Sequence, residues 1–249
     1  MLYNVLGHVY DQDAHKEVAT GFYHAIKSTL KTGRDFPVLD LGCGTGLVTE
    51  LIAKRGCHVV GLDNSKEMLR VARERCLPYA DRASFRLADM RNFSVAKPAA
   101  AAFACADIIN HFPTERVVGE VFNAVAKVLR PGGFFTFDTL NRYCFEAYWR
   151  NTTFFHESPA GDIVMDCEWD PRKGLGTCWM AIFERTGKTT WRRRDDVLYE
   201  RLYSHAVLRR LLKRAGFSKV IARDWSPWDD QHLEPAYDRT LWTAFKGEE

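Results

Sequence analysis

No two cysteines in this chain are spaced C-x-x-C. The seven of them (Cys43, Cys57, Cys76, Cys105, Cys144, Cys167 and Cys178) are scattered and odd in number, which speaks against a structural zinc site or a disulfide scaffold and suits a reducing compartment. No apolar run approaches the roughly 18 residues a membrane span requires. The opening residues, MLYNVLGHVYDQD, lack the cationic start and apolar core of a signal peptide. A cytoplasmic protein without a membrane partner is expected. Charge of one sign is also missing: Lys plus Arg number 35 and Asp plus Glu 32, leaving +3, so the surface advertises neither nucleic acid nor membrane. There is no internal repeat, no low-complexity tract beyond AKPAAAAFA, and no visible set of metal ligands. What remains is an ordinary globular composition over 249 residues, enough for one large domain or one domain with an insertion.

The first 140 residues alternate strand and helix signals. Short apolar runs at FPVLDL (36–41), CHVVGLD (57–63), SFRLADM (84–90), AAFACAD (101–107) and GFFTFDTL (133–140) read as strands buried on both faces. Between the last two, Val117, Val118, Val121, Phe122, Val125, Val128 and Leu129 follow a 3.6-residue period. This predicts a helix over 115–130, started by Thr114 and stopped by PGG. Asn64 with Glu67 has the spacing of a capping box opening a second helix. Such alternation with short connections predicts a parallel sheet with helices on both faces.

After Asn141 the rhythm changes. Residues 154–203 are rich in Trp, Phe, Thr and charge, with turn signals at SPAGD, DPRKGLG and RTGKT, and read as about three antiparallel strands inserted into the α/β pattern. Trp169, Trp179, Phe183 and Trp191 are the expected core of this insertion. The α/β pattern resumes with a helix at HAVLRRLLKRAG, capped by Ser204 and closed by Gly216. A terminal hairpin of FSKVIARDW and RTLWTAF follows.

The chemistry is concentrated in VLDLGCGTGLV, Val38 to Val48. Glycines at 42, 44 and 46 follow the first strand directly, where open parallel sheets bind ligands at the carboxyl ends of their strands. A dinucleotide fingerprint needs its third glycine at position 47, which is leucine, and no G-K-[ST] follows to make a P-loop. G-x-G-x-G instead offers a bare backbone floor for a nucleoside with a short zwitterionic tail. Asp63, about 20 residues on at the end of the second strand, suits a ribose diol, or merely caps the helix beginning near Ser65.

At these residues the chain resembles the class I S-adenosylmethionine-dependent methyltransferases. LDLGCGTG is similar to the family's first motif, GLDNSKEML to its ribose-binding segment, LADMRNF to its adenine-contacting segment, and VLRPGGFFTFD to the approach to its fifth strand. YNVLGHVYD and the insertion after the fifth strand resemble a small-molecule subgroup that includes sugar-amine N-methyltransferases. The resemblance implies a Rossmann-like seven-stranded sheet, mostly parallel with a terminal antiparallel hairpin. Residues 1–141 and 204–249 would form the methyltransferase domain and residues 142–203 an acceptor-side lid.

Carried over residue by residue, the family pattern implies that Gly42, Gly44 and Gly46, with Asp40 ahead of them, approach the sugar and methionine parts of S-adenosylmethionine. Asp63 would meet the ribose, with Asn64 and Met68 beside the adenosine, Asp89 at the adenine amine and Met90 on its ring. Cys105 and Ala106 would line the methionine, and Tyr10 would close over its tail. S-adenosylhomocysteine would be the product. On the acceptor side, Tyr3, Tyr143 and Trp149 are the candidate substrate residues and His111 the candidate catalytic base. Bland roles stay open for several: Asp89 as a loop carboxylate, Tyr3 and Tyr10 as buried anchors, His111 as an incidental loop histidine. Arg192, Arg193 and Arg194 read as a solvated strand edge.

Methyl transfer from a sulfonium is an in-line displacement that asks mainly for positioning and exclusion of water, and for a base only where the nucleophile arrives protonated. ADIINHF replaces the Asn-Pro-Pro-aromatic turn of DNA- and glutamine-methylating enzymes, which favours a small-molecule acceptor. An RNA or protein methyltransferase is the alternative enzyme, and a non-catalytic S-adenosylmethionine-binding regulator the alternative of another class. A nicotinamide oxidoreductase is disfavoured by Leu47. Oligomeric state leaves no trace in the sequence.

Overall fold

Strand and helix alternate from residue 38 to residue 87, as the spacing of apolar residues requires, and again around residues 99–140. The computed structural model describes residue 11 and residues 13–30, 36–158, 161–228 and 237–248. In chain order the α/β part comprises α1 (Asp13–Ile26), β1 (Val38–Leu41), α2 (Leu47–Lys54), β2 (Val59–Asp63), α3 (Lys66–Arg75), β3 (Ala83–Leu87), β4 (Ala99–Ala104), α4 (Glu115–Val128) and β5 (Leu129–Leu140). A short helix α5 (Arg142–Tyr148) leads to β6 (Thr152–Ser158), β7 (Gly161–Asp170), β8 (Leu175–Arg185) and β9 (Trp191–Arg201). Then α6 (His205–Arg214), β10 (Phe217–Trp225) and β11 (Arg239–Lys246) complete the described fold. No helix among the described residues is long and apolar enough to cross a membrane.

Seven strands form one sheet in the order β10-β11-β5-β4-β1-β2-β3. The five from β5 to β3 are parallel neighbours, β11 runs antiparallel to β5, and β10 antiparallel to β11. Side chains alternate between the two faces. Leu39, Leu41, Phe135, Phe137 and Trp242 share a buried cluster with Val118, Phe122 and Val125 of α4 and Leu208 and Leu212 of α6. Val38, Val59, Phe103 and Leu241 are buried with Phe22 and Ile26 of α1 and Ile52 of α2. The chain thus crosses to one face after β1 and to the other after β4, although these strands are adjacent.

Two helix ends differ from the sequence reading. Ser65, not Asn64, caps α3: its Oγ accepts the Met68 N–H at 3.2 Å. Glu67 pairs with Arg70 at 2.8 Å. Ser65 has the extended backbone of a cap residue, and Asp63 holds its N–H. The other helix, α4, starts at Thr114 as expected, with Thr114 Oγ1 accepting the Val117 N–H at 3.3 Å, but it ends at Val128 and β5 begins at once. Pro131 disfavours helical backbone at Arg130. The PGG becomes an irregularity within β5, where pairing with β4 shifts between Ala99 and Ala101 and Gly132 takes φ +67°.

The insertion is a four-stranded antiparallel sheet, β6-β7-β8-β9, one strand more than the turn signals mark. Its core is also different. Ile163, Cys167, Cys178, Met180 and Ile182 are buried on one face. Period-two alternation turns Trp179 to the opposite side, where it is largely exposed, and Trp191 at the edge is exposed under the Arg185 guanidinium. Trp169 stacks on Phe145 of α5, at 4.5 Å between ring centroids, in a separate cluster. Arg192, Arg193 and Arg194 lie on β9, the edge strand, within 4 Å of Glu184 or Asp195.

Candidate functional site

At the carboxyl end of β1 the chain turns through Gly42 to Gly46 before α2 begins. A Cβ on Gly44 would meet nothing within 4 Å, whereas one on Gly46 would press on Ala72 of α3 at 3.0 Å. Gly44, at φ +52°, is therefore bare toward a cleft, and Gly46, at φ +84°, is bare so that α2 and α3 can pack. The cleft sits at the crossing point between β1 and β4, where an open α/β sheet leaves a ligand crevice.

Two connected hollows make up the cleft. The larger, of about 170 Å³, has Gly42 and Gly44 as its floor, Asp63 and Asn64 after β2, and Asp89 and Met90 after β3. Cys105, Ala106, His111 and Phe112 bound it on the β4 side. The smaller, of about 60 Å³, shares Gly42, Gly44, Cys105 and Ala106 and runs on past Asp40 to His15 of α1. Nine of the residues expected to hold a cofactor thus surround one groove. Gly46 does not reach it. Met68 does not either: its side chain is buried with Ile163, Cys167, Cys178, Met180 and Ile182 of the insertion. Tyr3 and Tyr10 lie outside the described residues. A more open hollow of about 410 Å³ at the amino ends of β2 and β3, near His58, Arg82 and Ala83, is at the wrong end of the strands for this chemistry.

Three carboxylates shape the groove. Asp63 accepts the Gly44 N–H at 2.9 Å with Oδ2 and the Ser65 N–H at 2.8 Å with Oδ1, so it joins the glycine loop to α3 while facing the cavity. Burial raises its pKa, and these amide hydrogen bonds oppose the rise. Asp40 is fully enclosed beneath the loop. Burial lifts it to about 6, against the Thr49 hydroxyl that donates to it at 2.5 Å. Asp89 is half-exposed and paired with Arg91 at 2.5 Å, and that pairing holds it below the usual carboxylate range.

Beyond β4 the backbone is strained. Ala106 and Asp107, neither of them glycine, take φ +66° and +49°, a left-handed pair that clusters at functional turns. The turn leaves Ala106 on the cavity and directs Asp107 inward. Its N–H donates to Asp138 Oδ2 at 3.1 Å, and Arg239 Nη1 bridges Asp107 Oδ1 and Asp138 Oδ2, the latter at 2.5 Å. On the other side of Asp107, His111 Nε2 stands 3.8 Å from Asp107 Oδ2 and 4.0 Å from Glu200 Oε1, which arrives on β9 of the insertion.

The charges in this flank are unequal in number. Burial would raise Asp107, but Arg239 and His111 hold it low. Burial lifts Asp138 to about 6, and burial with the neighbouring Asp107 carries Glu200 well above the carboxylate range. Burial also lowers His111, favouring neutral imidazole at the cavity wall.

Of the acceptor-side candidates among the described residues, only His111 borders the groove. Tyr143 stands edge-on against Tyr148 at the surface, and Trp149 packs on Phe145 and over Gly176. The reason is local: Asn141 caps α5 and sends its buried face, Cys144 and Phe145, toward Trp169. Sequence reasoning missed His15, Asp138, Glu200 and Arg239. Asp138 alone left a signal, a carboxylate inside the apolar strand FFTFDTL.

Comparison with known proteins agrees with the groove. Residues 38–133 match the family model described as a methyltransferase domain. The match spans 96 of the 249 residues (133 − 38 + 1). It contains the glycine loop, Asp63, Asp89 and the strained β4 turn. Over 106 residues the chain is 35% identical to the ubiquinone biosynthesis O-methyltransferase of Idiomarina loihiensis, a match spanning 42% of this chain and 42% of that protein. The chain therefore aligns with less than half the length of this curated relative. The whole described fold, seven-stranded sheet and insertion together, is similar to many solved structures, two methyltransferases among them. One is an S-adenosylmethionine-dependent methyltransferase from Clostridium acetobutylicum (TM-score 0.78, 21% identity, 99% of this chain and 100% of that one). The other is the amino pentose methyltransferase CalS10 from Micromonospora echinaspora (TM-score 0.68, 18% identity, 99% and 97%). These likenesses establish a Rossmann-like methyltransferase fold with an added antiparallel sheet.

Proposed function

We infer that this protein transfers a methyl group from S-adenosylmethionine to a small-molecule acceptor. The observation that carries the reading is the groove at the β1/β4 crossing, where a bare Gly44 and a carboxylate, Asp63, are hydrogen-bonded to each other and face the same cavity. The residues fit that cofactor: Asp63 for a ribose diol, Met90 for an adenine face, and the smaller hollow past Asp40 and His15 for the amino-acid tail. When bound, S-adenosylmethionine supplies a methyl group already activated on a sulfonium.

The chain's own contribution is orientation and a dry pocket. The glycine loop and Asp63 fix the donor end, and Cys105 and Ala106 offer main chain at the middle. His111, held neutral by burial, is the group at the cavity wall able to accept a proton from an acceptor nucleophile. The insertion, residues 142–203, acts in this reading as the acceptor-side cover. A small acceptor is favoured because the arginine run on β9 is matched by acidic neighbours and no unpaired basic stripe for a nucleic acid follows from it.

The test is a screen of pooled small metabolites with methyl-labelled S-adenosylmethionine. The reading requires transfer of label to a low-mass product and its loss on Asp63→Ala. Labelling confined to added RNA or protein, or none with any acceptor pool, would contradict it.

A further inference from the structure

We propose that Asp107, His111 and Glu200 form a divalent-cation site on the wall of the donor groove. The three contribute ligand atoms that lie within 4.8 Å of one another. Two of them are one turn apart on the strained loop after β4, and the third comes from β9, so the cluster joins the seven-stranded sheet to the insertion. No sequence pattern marks it, because Glu200 is 89 residues beyond His111 (200 − 111).

Three features point to a cation rather than a packed polar cluster. Asp107 divides its oxygens: Oδ1 is taken by Arg239, while Oδ2 faces His111 Nε2 at 3.8 Å. Glu200 is enclosed, 4% exposed at its side chain, and its carboxyl is paired with that of Asp107, a contact between two acids that a shared proton or a cation must hold together; its Oε2 has no donor. The local balance is also acidic. Asp107, Asp138, Asp238 and Glu200 gather around the single guanidinium of Arg239, which already serves Asp107 and Asp138. A divalent cation between Asp107, His111 and Glu200 would replace the proton that otherwise sits on Glu200 and give its carboxylate a partner.

Two carboxylates and one imidazole make a mixed oxygen and nitrogen set suited to Mn²⁺, Zn²⁺ or Fe²⁺, not to thiophilic ions. Bonds of about 2.0–2.2 Å place the ligand atoms of such a site about 3–3.5 Å apart. Binding therefore draws β9 toward the β4 turn and tightens the insertion on the sheet. Three protein ligands leave coordination positions open, and His111 lines the groove, so an acceptor oxygen would occupy one; with the ion bound, His111 is a ligand and not the proton acceptor. That last use rests on the methyl-transfer reading. The binding of the ion does not.

The full-length protein, stripped with EDTA, is titrated with Mn²⁺, with free Mn²⁺ followed by electron paramagnetic resonance and heat by calorimetry. One Mn²⁺ per chain is expected. Glu200→Gln and His111→Ala should each weaken it by about tenfold or more, and Asp81→Asn, an exposed carboxylate elsewhere, should leave it unchanged. Saturating Mn²⁺ should raise the melting temperature of the wild type and not that of Glu200→Gln, with circular dichroism confirming that both variants are folded. Absence of stoichiometric binding of Mn²⁺ or Zn²⁺ to the wild type would overturn the site, as would binding undiminished in both variants. Binding of S-adenosylhomocysteine measured in the same samples separates the two ideas: if it persists where no metal binds, the cation site falls and the methyl-transfer reading stands.

Discussion

Asp63 and Gly44, 19 residues apart, are joined by a 2.9 Å hydrogen bond from the glycine N–H to the carboxylate. With its second oxygen Asp63 holds the Ser65 N–H at 2.8 Å. One side chain therefore fixes both the loop after β1 and the start of α3 while lining the groove. Of the two roles weighed from the sequence, the cap of α3 falls to Ser65, which Asp63 braces, and the ribose role belongs to the proposed function.

Asp63→Ala should consequently lower stability even without ligand. It strips two part-buried amides of their acceptor, which costs about 1–3 kcal/mol in each case where water cannot replace it. Chemical denaturation checks this. A midpoint equal to wild type would mean that neither hydrogen bond supports the loop.

Gly44 and Gly46 should respond differently to alanine. Gly44→Ala meets only the left-handed backbone penalty of about 1–2 kcal/mol and projects its methyl into the groove. Gly46→Ala adds contact with Ala72 at 3.0 Å and should destabilise more. Gly44→Ala should weaken binding of S-adenosylhomocysteine more than its loss of stability explains. The reverse ranking in paired denaturation and binding measurements would place Gly46 at the cleft.

Asp40 gives a pH signature. Its folded pKa of about 6 lies above the ordinary 3.8, so the folded state binds the proton more tightly. The resulting stability is full below about pH 4 and is lost as pH rises through about 6. The difference in unfolding free energy between wild type and Asp40→Asn should therefore shift by about 2 kcal/mol against the wild type between pH 4 and pH 7. A pH-independent difference would show that Asp40 is ionised in the fold at no cost.

Legibility in the sequence followed the range of the interactions. Thr114 and Ser204 cap helices as read, since a cap and its amide are three residues apart. The cleft was legible because its glycines, Asp63, Asp89 and Cys105 each sit at the carboxyl end of a recognisable strand. Trp179 and Trp191 were misplaced because aromatic content does not say which face of a strand is buried; the register of β8 against β7 and β9 does. Arg239 with Asp107, and Glu200 with His111, meet across 132 and 89 residues (239 − 107, 200 − 111), and nothing local encodes them.

Met68 offers a test of how the insertion docks. It belongs to α3 yet is buried with Ile163, Cys178 and Met180. Met68→Ala should cost about 2–5 kcal/mol and speed amide exchange in β7 and β8 as well as in α3. Faster exchange confined to α3 would show that the sheet is held elsewhere.

The central claim is that the groove after β1, β2 and β4 is a donor site for S-adenosylmethionine, and calorimetric titration with S-adenosylhomocysteine measures it most directly. The wild type should bind one equivalent, and folded Asp63→Ala should bind about ten- to a hundredfold more weakly, the loss of charge-assisted hydrogen bonds to a ribose. NADH should give no heat. Binding of NADH without binding of S-adenosylhomocysteine, or unchanged affinity in Asp63→Ala, would contradict the account.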